Sequence, residues 1–299
     1  MNWIVAALIS AGFLGCYDLC TKHAVRHNAV LPVLFLANAC SAAIWLSLLA
    51  VQRLHPGLLS AEFSVPHLTM LQHGQIAGKS LLVSIAWMCT YFAVKYLPVS
   101  LAAPIRATSP IWTLAGGILI FAERPNASQA VGVAITLGSL LLLSAAGARE
   151  GVHFHRSQWV WWLAAGTLLN SCSALYDKFL LNRAGFAPST VQCWFAIYLA
   201  VFFLPLAAGW KSRLWQRNDF HWRWSIPLLS ITLLVADFIY FSALHHPAAL
   251  VSVVSTLRGG STAVAFLGGL VLFGEEANRL KFVAVAGILA GIAITMLNR

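Results

Sequence analysis

The chain has 299 residues, of which 60% are hydrophobic and only 9% charged, with a mean hydropathy of +0.78. A soluble domain is roughly a quarter charged, so this composition excludes a water-covered globule and points to a polytopic membrane protein. The net charge of +10 comes without a basic run long enough to track a nucleic-acid backbone; Lys and Arg flank spans, where they orient the chain and meet lipid phosphates, and no nucleic-acid partner is expected.

Apolar runs of helical length fall at about 3–21, 30–51, 78–97, 99–121 and 128–147, and again at about 157–180, 188–209, 224–244, 247–273 and 280–298. At about 20 residues per span this is roughly ten transmembrane helices. The runs are long and rich in Leu, Ala and Gly, which favours helices over strands. The first run lacks a charged leader and a cleavage site, so it is expected to be a retained span rather than a signal peptide. Most connections are tight. Two are longer: 52–79, polar-leaning with room for an interfacial turn, and 211–223, whose tryptophans suit the headgroup level. The six cysteines (Cys16, Cys20, Cys40, Cys89, Cys172, Cys193) all lie in apolar segments without a CxxC pair, and buried free thiols are expected.

One stretch occurs twice. Residues 91–126 and 240–278 share Tyr91-Phe92 with Tyr240-Phe241, Pro98 with Pro247, Arg106 with Arg258, Gly116-Gly117 with Gly268-Gly269, and Phe121-x-Glu123-x-x-Asn126 with Phe273-x-Glu275-x-x-Asn278. The first and sixth spans match as well, Tyr17-Asp18 answering Tyr176-Asp177. The fold class is therefore all-α, with ten transmembrane helices as two five-helix repeats, 1–150 and 151–299. An odd number of spans per repeat turns the second copy upside down, and inverted repeats hold substrate near the midplane between them. The Lys and Arg count of the loops places both termini outside.

Arg106 lies between Pro104 and Pro110, and Arg258 precedes Gly259-Gly260, so each arginine falls where the helix is disturbed. An arginine at such depth costs at least about 2.5–3.5 kcal/mol unless it faces a cavity or a partner. Two readings follow: both guanidinium groups grip an anionic substrate, or they pair with internal carboxylates. Asp18, Asp177 and Asp237 are the available acids, as proton-coupling or ion-pairing groups. Asp18 can pair with Lys22 four residues on, whereas Asp177 and Asp237 lack a local partner. Tyr17, Tyr176, Tyr91, Tyr240 and Trp87 are candidates to line the cavity, with core packing as the alternative for each. Glu123 and Glu275 suit a structural capping role at span ends, and Asn170 with Ser171-Cys172-Ser173 offers polar contacts in the sixth span.

Two patterns are set aside. His73-Gly-Gln-Ile-Ala-Gly-Lys79-Ser80 imitates a phosphate-binding loop, but His73 stands in place of the first glycine and no strand precedes it. His153-x-His155 and His245-His246 lack further ligands, so no metal is expected.

The paired Pro…Arg…Gly-Gly…Phe-x-Glu-x-x-Asn pattern on ten spans resembles the drug/metabolite transporter superfamily, specifically its EamA-type exporters. The strongest likeness is in residues 120–126 and 272–278, which look like the family's glutamate-bearing turn. The resemblance implies a basket of helices around a central cavity, transport of metabolites without ATP, and both termini in the cytoplasm. That last implication runs against the Lys and Arg count.

The expected function is secondary transport of a small anionic or zwitterionic metabolite, export being the favoured direction, in a bacterial inner membrane. Cationic or aromatic export and lipid flipping are the alternatives on the same fold. No cofactor and no catalysis are expected. The expected partners are the substrate, the bilayer and a proton or exchange counter-substrate, the chain acting as monomer or homodimer.

Overall fold

The computed structural model describes residues 2–55, 57–97, 105–106, 108–146, 157–212, 219–273 and 279–296. Within them the regular structure is helical: α1 (Trp3–Val25), α2 (Val30–Leu54), α3 (Met70–Tyr96), α4 (Ser109–Phe121), α5 (Ala127–Ala146), α6 (Gln158–Lys178), α7 (Pro188–Lys211), α8 (Ser225–His245), α9 (Val251–Arg258), α10 (Ser261–Phe273) and α11 (Arg279–Met296). Helices satisfy their own backbone groups, the condition a hydrocarbon environment imposes. α1, α2, α3, α7, α8 and α11 are each long and apolar enough to cross a bilayer. α6 is of similar length, but Asn170, Ser171, Ser173, Asp177 and Lys178 interrupt its apolar run.

Two boundaries depart from expectation, each for a local reason. α3 starts at Met70 rather than near 78, because Thr69 and Gln72 form a reciprocal capping box ahead of polar first turns that hydropathy alone does not read as helix. The ninth span is two helices, broken where Gly259 and Gly260 follow Arg258. A Cβ on Gly260 would lie 2.9 Å from Ile292 Cδ1 and 3.0 Å from Leu257 O, so the turn closes only without a side chain. In the 55–69 connection the expected turn is a short 3-10 helix, Ala61–Phe63, and Phe63 stacks on Phe238 of α8 with ring centroids 5.2 Å apart. The cysteines are free thiols, but Cys16 and Cys172 are exposed on helix surfaces rather than buried.

The helices interlock across the two halves of the chain. α1 packs on α8, α9 and α10, while α6 packs on α3 and α4; α2 packs on α7, and α5 on α11. The α5–α11 crossing is reciprocal to the residue. A Cβ on Gly132 would stand 2.5 Å from Gly291 O, and one on Gly291 would stand 2.7 Å from Gly132 O. Gly132 also faces Thr295, and Gly291 faces Thr136. Small residues at matched spacing let two backbones approach in a membrane, and mutual contacts of this kind mark a two-fold relation. The repeated Gly-Gly pairs follow suit: Gly116 accommodates Leu175 of α6, and Gly268 accommodates Leu19 of α1.

Candidate functional site

The site is a chain of buried and half-buried charges running through α3, α6, α8 and α9. Arg258 ends α9, where the glycine break frees it from a continuing helix. Its Nη2 donates to Asp237 Oδ1 of α8 at 2.7 Å, and its guanidinium lies over the Tyr240 ring, 4.2 Å from the centroid. Among the described residues the buried Nε of Arg258 finds no hydrogen-bond partner. Nη2 is thus engaged, while Nε is buried without a partner.

Tyr240, almost fully buried, donates its hydroxyl to Asp177 Oδ2 of α6 at 3.5 Å. The other carboxylate oxygen, Oδ1, lies 3.0 Å from Lys79 Nζ of α3 in an ion pair. Lys79 is 2% exposed, and its ammonium sits over the Phe195 ring, 3.3 Å from the centroid. That arrangement offsets part of the cost of burying the charge. Asp237 and Arg258 also act on Asp177 electrostatically.

The first half contributes the matching set. Tyr17 and Tyr91 lie within electrostatic reach of each other and of Asp18, which in turn feels Arg106 and Arg258. Arg106 stands just before the Thr108 turn that starts α4, with Pro110 in the first turn of that helix. Both arginines act on Asp18, and Arg106 itself is exposed. Of the pairings left open by the sequence, Arg258 takes Asp237.

The remaining candidates are engaged elsewhere. Trp87 stacks on Phe203 of α7 with ring centroids 6.0 Å apart. Tyr176 stacks on Phe179 and donates to Gln75 O at 3.1 Å, tying α6 to α3. Asn170 bonds back to Gly166 O, and Ser171 bonds Ser109 of α4, so these polar groups fasten helices. His245 contacts Leu181 O, and His246 accepts from Ala248 N, so both shape a turn. His153, His155 and Glu275 lie outside the described residues.

A second buried pair adjoins the site. Ala122 adopts a left-handed backbone (φ 53°) at the end of α4 and turns Glu123 inward. Gly117 leaves room for that carboxylate, since a Cβ there would stand 2.7 Å from Glu123 Oε2. Glu123 Oε1 accepts from Lys178 Nζ and from Val251 N, both at 2.6 Å. Its Oε2 accepts from Ser252 N at 3.1 Å and Ser252 Oγ at 2.6 Å. The carboxylate caps the positive end of α9 and neutralises a lysine of α6. After Lys178, α6 passes into a single π-helical turn, Phe179–Arg183, a distortion frequent beside functional sites.

Sequence reading missed Lys79 as a site residue, counting it as a loop charge. The signal was there: counted from the Thr69 cap, Lys79 lies roughly 14 Å along the helix at 1.5 Å per residue.

A polytopic helical bundle with broken spans and a buried, charged centre is the architecture of a membrane transporter. Residues 1–145 match the model of the EamA-like transporter family, a match consistent with the drug/metabolite transporter superfamily. Among solved structures, one described only as a crystal structure of a protein aligns with a TM-score of 0.68 at 16% identity, covering 99% of this chain and 95% of that one. At that identity the likeness speaks for the fold alone. No curated protein matches the chain in sequence.

Proposed function

We propose that the chain is a secondary transporter exporting a small anionic or zwitterionic metabolite, amino-acid-like or phosphorylated, across a bacterial inner membrane. The halves 1–150 and 151–299 act as inverted repeats that alternate access to a site between them. Arg258 and Arg106 receive the substrate's carboxylate or phosphate, and Asp237 or Asp18 receives an ammonium group where the substrate has one. The observation that carries this reading is the Arg258 guanidinium, whose buried Nε lacks a partner among the described residues while its Nη2 holds Asp237. A buried donor left unpaired is costly, and a planar anion would satisfy it.

The test is ligand-induced thermal stabilisation of the purified protein against matched anionic, zwitterionic and cationic metabolites, followed by uptake into proteoliposomes. Stabilisation by an anionic or zwitterionic class, lost in Arg258→Gln and Arg106→Gln, supports the reading. Stabilisation by cations alone would make the arginines structural and shift the site to the aspartates. Normal transport by both variants would overturn the anion site.

A further inference from the structure

The central charges balance. Lys79, Arg106 and Arg258 face Asp18, Asp177 and Asp237, three cations against three anions. If the transported solute is a net anion, as proposed above, its arrival leaves one negative charge uncompensated in a medium where burial of a bare ion costs several kcal/mol. The site has one inexpensive remedy, which is to take up a proton. Arginines stay charged at all accessible pH, so the proton must go to a carboxylate.

The three carboxylates are not held alike. Asp237 accepts a charge-assisted bond of 2.7 Å from a guanidinium. Asp18 stands in the field of two permanently charged arginines. Asp177 has a lysine ammonium 3.0 Å away, a tyrosine hydroxyl at 3.5 Å and the more distant field of Arg258. Lysine is a point charge on a flexible stem, free to turn toward a better anion.

The groups facing Asp177 are few: Lys79 from α3, Tyr240 and Asp237 from α8, and Arg258 from α9. α4 sends Ser109 to Ser171, and the Glu123 that follows it binds Lys178, the neighbour of Asp177, away from the acid. Lys79 is also a feature of one half only. In the alignment that sets Tyr91 against Tyr240, Leu228 stands opposite Lys79 and Met88 opposite Asp237.

We propose that Asp177 is the proton carrier of this transporter, and that substrate anion and proton enter as a pair. The anion takes the Lys79 ammonium from Asp177, and the released carboxylate, 5% exposed, takes a proton from water. The Lys79–Asp177 ion pair is replaced by a Lys79–substrate pair and a neutral carboxylic acid. The site stays neutral overall, and a net anion moves with one proton. A zwitterion, adding no net charge, moves without one.

The first test needs no substrate. Infrared difference spectra of the purified chain at pH 7 report protonated carboxyl groups through their C=O stretch. Lys79→Met removes the competing cation, so its spectrum should carry a carboxylic band that is absent from wild type and from Lys79→Arg, and lost again in the double variant with Asp177→Asn. A Lys79→Met spectrum without the band, or a band that survives in the double variant, overturns the proposal.

Should Lys79→Met fail to fold, acid titration of wild type against Asp177→Asn gives the same decision. The first carboxyl band to grow in wild type must be missing from the variant, and superimposable titrations overturn the assignment. These spectra are independent of transport, so failure of the anion site in the arginine variants and failure of Asp177 as carrier are read separately.

Discussion

Asp177 and Lys178 are neighbours on one helix, both buried, both ion-paired across to other helices, and they are held in opposite ways. Lys178 bonds Glu123 at 2.6 Å and Ala249 O at 2.6 Å, and Glu123 is filled by two backbone amides and a hydroxyl besides. Asp177 has one flexible lysine at 3.0 Å and a tyrosine at the limit of bonding distance. A carboxylate with every lone pair used is a fastener, because any movement exposes unsatisfied groups. A carboxylate held loosely by one flexible cation can exchange partners. The same helix therefore carries a fixed joint to α9 and, one residue earlier, a group suited to change state.

The largest effect expected from this contrast is on stability. Glu123→Ala strands Lys178 and uncaps α9, and breaking a buried pair from one side costs about 3–5 kcal/mol. Thermal melts in detergent should show a large fall in Tm, partly restored by adding Lys178→Met. Asp177→Asn also strands a buried lysine but should cost less, since no helix is uncapped, Lys79 keeps its place over Phe195 and Tyr240 keeps an acceptor. Equal losses in the two variants would erase the distinction between joint and switch.

Next come the arginines, where the readout is transport rather than melting. Charge-assisted hydrogen bonds contribute about 1.5–3 kcal/mol. Arg258→Gln and Arg106→Gln should therefore each lower transport by about tenfold to a hundredfold at subsaturating substrate. Arg258→Gln also frees Asp237, so it should be the less stable of the two.

Much of this was open to reading from the residues alone, and the reason for each failure is physical. Helical spans follow from long Leu, Ala and Gly runs, and the break at Arg258 follows from the two glycines after it. Tyr, Arg and Gly-Gly recur at matched spacing in residues 91–126 and 240–278. The structural capping role expected of Glu123 is what its carboxylate performs on α9. Lys79 was obscured because the first turns of α3 carry Gln72, His73 and Gln75, which lower hydropathy without ending the helix. The partners of Asp177 and Lys178 were not legible at all. They depend on how α3, α4 and α9 approach α6, and local spacing does not encode that.

The contrast between the halves can be sharpened at the α5–α11 crossing. Gly132→Ala and Gly291→Ala each push a methyl into the other helix's backbone, and overpacking of this kind costs about 1–3 kcal/mol. The contacts are mutual, so the two losses of Tm should be of similar size. A loss confined to one variant would mean that the two glycines do not bear equally on the crossing.

The smallest predicted effect is a gain. Ala122 holds a left-handed backbone at φ 53° so that Glu123 can turn inward, and it is exposed, so its methyl contributes little packing. The corresponding residue of the second copy is Gly274, the residue type that adopts this conformation without conflict between Cβ and carbonyl. Ala122→Gly should therefore raise stability by up to about 1 kcal/mol, the side-chain conflict removed exceeding the chain entropy added. The gain should vanish in a Glu123→Ala background, because without the carboxylate the turn need not be made. A gain that persisted there would place the strain in α4 itself and separate it from the joint that Glu123 forms with Lys178 and α9.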